Sequence, residues 1–429
     1  MSAVSARSIR REDGPAGPGG RPLDKVRALQ WTLYRCAKQE PERRFHALYG
    51  HVHRMDVLWR AWSGVCTNRG AAGVDGVTVD AVTASGVEAF LRDLAERLRT
   101  HSYRPSVLRR VQIPKSGRPG EFRPLSIPTV ADRVVMTAAK LVLEPVFEAQ
   151  FTEASYGFRP KRSAIDACEA VRVAVNQGRE WVFEADIRDC FGTIGHDALI
   201  NEVARQVSDR SMLKLIRAWL RMGILEGGVT SPTGAGTPQG SPISPLLANI
   251  ALHVLDEAWQ RDGRRLGILV RYCDDFVVLS PSRQRAEQAR ELAAKVLERL
   301  GMRLHPEKSG VICLTRGGQG FDFLGFHHRK VESWKWRGSS TCNAGPRPER
   351  CRCCGTRSVR RPAARRRYGQ CPLWSPISIP CCGAGRVLPQ RKFRTEVQRS
   401  RRLCPLHARF EVAGAGNGAL RHRASPRPY

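Results

Sequence analysis

Apolar positions recur every three or four residues through Lys25–Lys38 (KVRALQWTLYRCAK), which places Val26, Leu29, Leu33 and Cys36 on one face of a predicted helix. The same period runs through Phe45–Trp62, and from Thr78, a candidate N-cap, to Leu98. It returns in Ala131–Phe147 and in a run that ends at about Trp259. In Gln284–Leu300 it turns Ala286, Ala289, Leu292, Ala293, Val296, Leu297 and Leu300 inward. Between these helices the texture changes. Val111–Ile113, Trp181–Asp186, Ile268–Val270, Phe276–Leu279 and Gly320–Phe326 are short and rich in β-branched and aromatic residues, so they read as strands. Alternation in Trp181–Ile187 sets Phe183, Ala185 and Ile187 opposite Val182, Glu184 and Asp186. Helices and strands are interleaved along the chain.

Two of the strands flank a pair of acids. In LVRYCDDFVVLS (269–280), Asp274 and Asp275 interrupt the apolar run, which predicts a β-hairpin whose tight turn carries both carboxylates. Adjacent carboxylates repel: without a cation one of them takes up a proton, and with a divalent ion both stay ionised. Alone, the stretch is explained equally well by an ordinary Asp-containing turn. Asp186, at the end of another strand, supplies a third carboxylate. Upstream, RRVQIPKSGRPGEFRPLSIP (109–128) describes a hairpin presenting Lys115 and Arg123 on neighbouring strands. A mobile point charge and a planar fork suit a triphosphate, although two solvated strand charges fit the segment as well. Gln239, between Pro238 and Gly240, sits in a backbone-exposed loop suited to touching a ligand, and GMRLHPEKSG brings Lys308 back towards the core. Ser155–Pro160 reads as a rigid turn. The glycine-rich loop Asn68–Gly76 lacks a Walker lysine and is weak evidence for a phosphate cradle.

Charge narrows the partners. With 71 Lys+Arg against 40 Asp+Glu the net charge is +31, which points to a polyanion, either nucleic acid or an anionic membrane surface. The most apolar window, Leu246–Leu255, contains Asn249 and His253 and falls well short of the ~20 residues needed to span a bilayer. The opening MSAVSARSIRRED has no apolar stretch, so no signal peptide and a cytoplasmic location are expected. Residues 1–22 have the Gly, Pro, Ser and Arg content of a disordered leader, and 429 residues are enough for two or more domains. Of the 14 cysteines, Cys36, Cys66, Cys168, Cys190, Cys273 and Cys313 are scattered singly through apolar patterns and are expected to be buried thiols.

Taken in order, NRGAAGVDG, IPKSGRPGEFRPLSIPTVADR, SYGFRPKRSA, FEADIRDCF, TPQGSPISPLLAN, RYCDDF, LHPEKSG and FLGF resemble the motif series of the reverse transcriptases encoded in bacterial group II introns, over about residues 25–336. The resemblance implies an α+β right-hand polymerase: a basic helical N-terminal extension and start of the fingers over 23–100, fingers over 101–180, and a palm with an antiparallel sheet over 181–336. It implies RNA-directed DNA polymerase activity on an intron RNA template with a DNA primer and dNTPs, together with maturase-assisted splicing and retrohoming. A homodimer is left open. Carried over by residue, it implies two Mg²⁺ ions held by Asp186 and Asp274, with Asp275 in support and the Ile187 carbonyl completing one coordination sphere. Lys115 and Arg123 become triphosphate clamps and Phe191 the ring that excludes a ribose 2′-hydroxyl. Gln239 lines the nascent-pair pocket, and Lys308 lies near the primer. The variable position of the family's Tyr-x-Asp-Asp box, usually alanine, is Cys273 here. A retron or diversity-generating reverse transcriptase, and a non-catalytic RNA-binding maturase or inactive remnant, are the rival readings; SYGFRPKRSA and TPQGSPISPLLAN favour the intron type.

After FLGF the resemblance stops, where the family continues into a helical thumb. From Gly338 onward the chain holds 19 Arg and one Lys against three Glu, with no sustained helical or strand period. Read in the neighbouring frame, starting one base earlier, Thr341–Cys351 permits Tyr-Leu-Gln-Arg-Trp-Pro-Ser-Pro-Arg-Ala-Met, close to the way such a thumb begins. The expectation is that a frameshift near Gly338–Ser340 makes 337–429 an aberrant tail and leaves the thumb missing. A zinc cluster at Cys351, Cys353, Cys354, Cys371, Cys381 and Cys382 competes with it but lacks paired CxxC spacing.

Overall fold

Asp24 opens the first helix by accepting the Arg27 N–H at 2.8 Å, and from there the computed structural model describes residues 24–114, 120, 122–232, 234–314, 318, 320–332 and 340–346. Lys115, the leader and the Cys-rich run beyond Pro346 lie outside the described residues. The helices of the N-terminal half are α1 (Lys25–Gln39), α2 (Tyr49–Val52), α3 (Met55–Asn68), α4 (Val79–Ser85), α5 (Val87–Arg99), α6 (Val130–Glu148) and α7 (Ala164–Asn176). Those that follow are α8 (Cys190–Thr193), α9 (His196–Gln206), α10 (Arg210–Leu220), α11 (Ser244–Ala258) and α12 (Arg283–Arg299). The first strands are β1 (Leu108–Pro114), β2 (Phe122–Ile127), β3 (Trp181–Asp186), β4 (Ile224–Glu226), β5 (Val229–Ser231) and β6 (Ile268–Tyr272). The remainder are β7 (Asp275–Ser280), β8 (Gly310–Cys313), β9 (Phe321–Phe323), β10 (Phe326–Glu332) and β11 (Ser340–Pro346).

α1 and α3 pack on α6, which is buried almost throughout, from Val134 and Val135 to Val142 and Val146. Two predicted helices are each broken. Over 45–62, Phe45 forms a parallel bridge with Val207, and the Asp209 carboxylate takes the Leu48 and Tyr49 N–H groups at 2.8 and 2.7 Å, so the helix restarts at α2 and again at α3. Over 78–98, Thr78 caps α4 through its hydroxyl as expected, but Gly86 at φ +106° separates α4 from α5. The glycine-rich loop before Thr78 acts as a joint: its Ala71 and Ala72 carbonyls accept from Arg133 and Arg109, each at 2.7 Å.

One sheet has the order β2-β1-β4-β5; β1 and β2 form the expected hairpin, with Ile113 opposite Arg123, and β4 joins β1 in parallel. The central sheet has the order β6-β7-β3-β8 and is antiparallel throughout. Phe183, Ala185, Leu269, Phe276 and Val278 face one core, to which α11 and α12 contribute. Val182, Val270, Val277 and Leu279 face a second core on the α7 side. Val182, placed by alternation on the polar side, is therefore buried, because a helix covers that face too. Each fully buried Val, Leu or Phe side chain contributes about 1.5–3 kcal/mol, and the Phe183 and Phe276 rings meet edge to face at 6.0 Å.

A third sheet, β11-β10-β9, takes in residues 340–346 of the stretch read as tail. Ser340–Pro346 pairs along its whole length with β10, Cys342 is buried, and the Cys342 N–H donates to Asn176 Oδ1 at 2.8 Å. A free β10 edge and the Asn176 amide supply this strand with partners from outside its own sequence. Among the cysteines read as buried thiols, Cys168, Cys190 and Cys273 are buried while Cys36, Cys66 and Cys313 are half-buried, and all six are free. Among the described residues no helix is long and apolar enough to cross a membrane.

Candidate active site

The hairpin joining β6 to β7 is tighter than the sequence predicts. Asp275 is the first residue of β7, paired with Tyr272 on one side and with Asp186 of β3 on the other. The turn is therefore Cys273-Asp274, with Cys273 at φ +59°. Placing both acids in the turn is corrected: one occupies the turn and the other the strand, because the Tyr272–Asp275 pair closes the two-residue loop on Cys273-Asp274. The register brings Asp186, Asp274 and Asp275 to the same edge of the central sheet. Burial pushes the Asp274 carboxyl above its ordinary range, the charge of Asp186 adds to this, and Arg123 of β2 acts in the opposite sense.

Asp186 is held through its backbone. Its carbonyl accepts from the His305 N–H at 2.8 Å, and its N–H donates to Ser309 Oγ at 3.2 Å. The same segment carries Lys308, which stays exposed while its Nζ donates to Asp186 Oδ2 at 2.7 Å. Ile187 bridges Leu304 and is buried.

Phe191 and Gln239 line a cavity of about 370 Å³ with Arg110, Ser126 and Thr237, and the three aspartates are not on its lining. The loop carrying Gln239 ties β2 to α8: the Thr237 N–H donates to the Phe191 carbonyl at 2.6 Å, and the Ser126 N–H of β2 donates to the Gln239 carbonyl at 2.7 Å. Of the residues singled out from the sequence, the three aspartates and Lys308 come together, with Arg123 in electrostatic reach, while Phe191 and Gln239 line the cavity. Lys115 lies outside the described residues.

The sequence reading missed Arg271, which is fully buried one residue before Tyr272 and bonded to Asp256, Asn249, Ser155 and the Cys273 carbonyl. A lone arginine inside an apolar strand was the available signal. The donor chemistry at the edge suits a divalent cation: hard carboxylate oxygens, with Asp186 and Asp274 coupled by like charge. Among the described residues no three His, Cys, Asp or Glu side chains gather into a group that could hold a metal ion, Asp186, Asp274 and Asp275 included.

The profile described as reverse transcriptase (RNA-dependent DNA polymerase) matches residues 113–328, half of the chain, and takes in Asp186 and the Cys273-Asp274 turn. The chain belongs to the reverse transcriptase family. Its relatives include group II intron-encoded proteins: it is 36% identical to the group II intron-encoded protein LtrA of Lactococcus lactis subsp. cremoris over 214 residues, 50% of this chain and 35% of LtrA. It is 31% identical to Protein YkfC of Escherichia coli (strain K12) over 344 residues, 71% of this chain and 88% of YkfC. The chain thus spans about a third of the length of LtrA. Among solved structures it is similar to a partial Cas6-RT-Cas1--Cas2 complex, with 28% identity, 59% of this chain and 40% of that chain covered, and a TM-score of 0.37. The fold is that of reverse transcriptase fingers and palm. Reverse transcriptase domains use divalent metal ions.

Proposed function

We propose that this chain is a group II intron-encoded RNA-directed DNA polymerase that extends a DNA primer on intron RNA with dNTPs and also binds that RNA during splicing and retrohoming. The observation that carries the reading is the register pairing Asp186 with Asp275, which sets the Asp274 turn and Asp186 on one sheet edge with Arg123 in electrostatic reach. Asp186 and Asp274 would hold two Mg²⁺ ions, Asp275 would support them, and the Ile187 carbonyl would complete one coordination sphere. Bound there, the ions supply charge stabilisation for an attacking 3′-hydroxyl and a departing pyrophosphate.

The chain's own residues do the rest. Arg123, and Lys115 with it, draw the triphosphate to the mouth of the cavity, where a planar fork and a mobile ammonium reach different phosphate oxygens. Phe191 fills the space a ribose 2′-hydroxyl would need, and Gln239 lines the pocket of the incoming base pair. A cavity of about 370 Å³ lies within the range for small-molecule sites. Lys308, once drawn away from Asp186, is a cation at the primer side. The net charge of +31 and the basic residues Lys25, Arg27, Arg35 and Lys38 of α1 favour a salt-dependent grip on an RNA backbone.

Primer extension on an RNA template tests the reading. Wild type should incorporate dNTPs and Asp274→Ala should not, while both bind the template alike. RNA binding without incorporation by the wild type would make the chain a binding module and overturn the polymerase assignment.

A further inference from the structure

The Arg271 side chain is 0% exposed, and its guanidinium has five N–H groups and five acceptors. Nε and Nη2 take Asp256 Oδ1 and Oδ2 at 2.8 and 2.5 Å. Nη2 also donates to Ser155 Oγ at 2.9 Å. Nη1 donates to Asn249 Oδ1 at 3.1 Å and to the Cys273 carbonyl at 3.0 Å. These acceptors come from α11, from the loop that precedes α7, and from the catalytic turn itself. The second layer closes on the same turn: Asn249 Nδ2 donates to the Gly157 carbonyl at 2.8 Å. A Cβ on Gly157 would lie 2.5 Å from the Cys273 nitrogen, so the loop touches the turn directly. The backbone adds two more ties, Arg271 N–H to the Ala154 carbonyl and Tyr156 N–H to the Arg271 carbonyl, both at 2.8 Å.

A buried ion pair is a poor way to gain stability, since well-packed apolar residues of similar volume do as well or better. What such a cluster can supply is one fixed arrangement. The turn needs it: Cys273 sits in the left-handed region without being glycine, and the next residue carries a carboxylate repelled by Asp186.

We propose that Arg271 is a positioning residue for nucleotidyl transfer: by gripping the Cys273 carbonyl against α11 and the Ser155–Gly157 loop, it fixes the turn that presents Asp274 to Asp186. The proposal rests on the polymerase reading above. Asp256 cancels the charge of the grip, so the device adds no net cation beneath the carboxylates. Only a guanidinium serves. A lysine could pair with Asp256 but has no planar fork to span Asn249, Ser155 and the turn carbonyl together.

The test uses the full chain with Arg271→Lys, and with Arg271→Met combined with Asp256→Leu so that no charge is left buried alone. Primer extension under dNTP titration, thermal melting, and Mn²⁺ binding read from the free-ion signal, corrected with Asp274→Ala, are measured in parallel. Both variants should lose about 10²-fold in kcat, as ångström-scale misplacement of reacting groups does. KM for dNTP should stay within about threefold and Mn²⁺ affinity should fall about tenfold, a split that a general loss of packing would not give. A double variant that melts like wild type and keeps its kcat and Mn²⁺ affinity overturns the proposal. If the double variant does not fold, Arg271→Lys decides by the same criteria. If wild type itself incorporates nothing, the polymerase reading fails, and the Mn²⁺ titration still decides: equal affinity in wild type and Arg271→Lys overturns the positioning role, and a weaker one supports it.

Discussion

The central sheet and the β2-β1-β4-β5 sheet differ less in their strands than in what covers them. β7 is buried from Phe276 to Ser280 between two cores, whereas β1 passes from buried Leu108 to exposed Gln112, Ile113 and Pro114, and Phe122 opposite its tip is 55% exposed. The carboxylates, whose relative placement the proposed chemistry tolerates least, stand on the doubly covered sheet. The arginine proposed to meet a mobile triphosphate rides on the open one. Packing is spent where geometry matters, and exposure is kept where long-range charge is enough.

The strongest way to break this contrast is to remove a carboxylate from the rigid side. Asp186→Ala should lower incorporation about 10⁴-fold while leaving template affinity within about twofold; a loss no greater than that of a variant on the open sheet would erase the distinction. Next comes the core. Phe183→Ala should cost about 3–5 kcal/mol in urea unfolding, whereas Phe122→Ala should stay within about 0.5 kcal/mol. Arg123→Ala should raise the dNTP KM about tenfold with kcat little changed, as loss of one charged hydrogen bond predicts.

The smallest effect is on acid stability. Burial alone would raise the Asp256 carboxyl, but the charge and hydrogen bonds of Arg271 hold it below the usual carboxylate range. A group depressed in the folded state contributes above its unfolded pKa of about 3.9 and loses that contribution as pH falls through the folded value. The melting temperature of wild type should therefore fall more steeply below about pH 4 than that of the Arg271→Met, Asp256→Leu pair. Parallel acid profiles would remove Asp256 from the account of acid stability.

What was legible in the sequence was local. The inward face of α12, the β1–β2 hairpin and the strand ending in Asp186 follow from periods of 3.6 and 2 that any window of the chain displays. The Arg271 cluster was not legible, because Ser155 is 116 residues from Arg271 and the bond appears only after two distant segments meet. The break in the 45–62 helix has the same origin: Asp209, about 160 residues away, captures the N–H groups of Leu48 and Tyr49. β11 escaped notice because its partner is the free edge of β10 and its composition carries no period of its own. Lys115 lies outside the described residues, so the second half of the proposed triphosphate clamp rests on the motif alone.

The Lys308 ammonium already sits 2.7 Å from Asp186. A carboxylate with an internal counter-charge does not have to wait for an ion before the strand carrying it can pair. The central sheet is therefore expected to form without an ion, unlike metal-nucleated domains, in which stripping the ion unravels the chain; circular dichroism in chelator should match that with a divalent ion present.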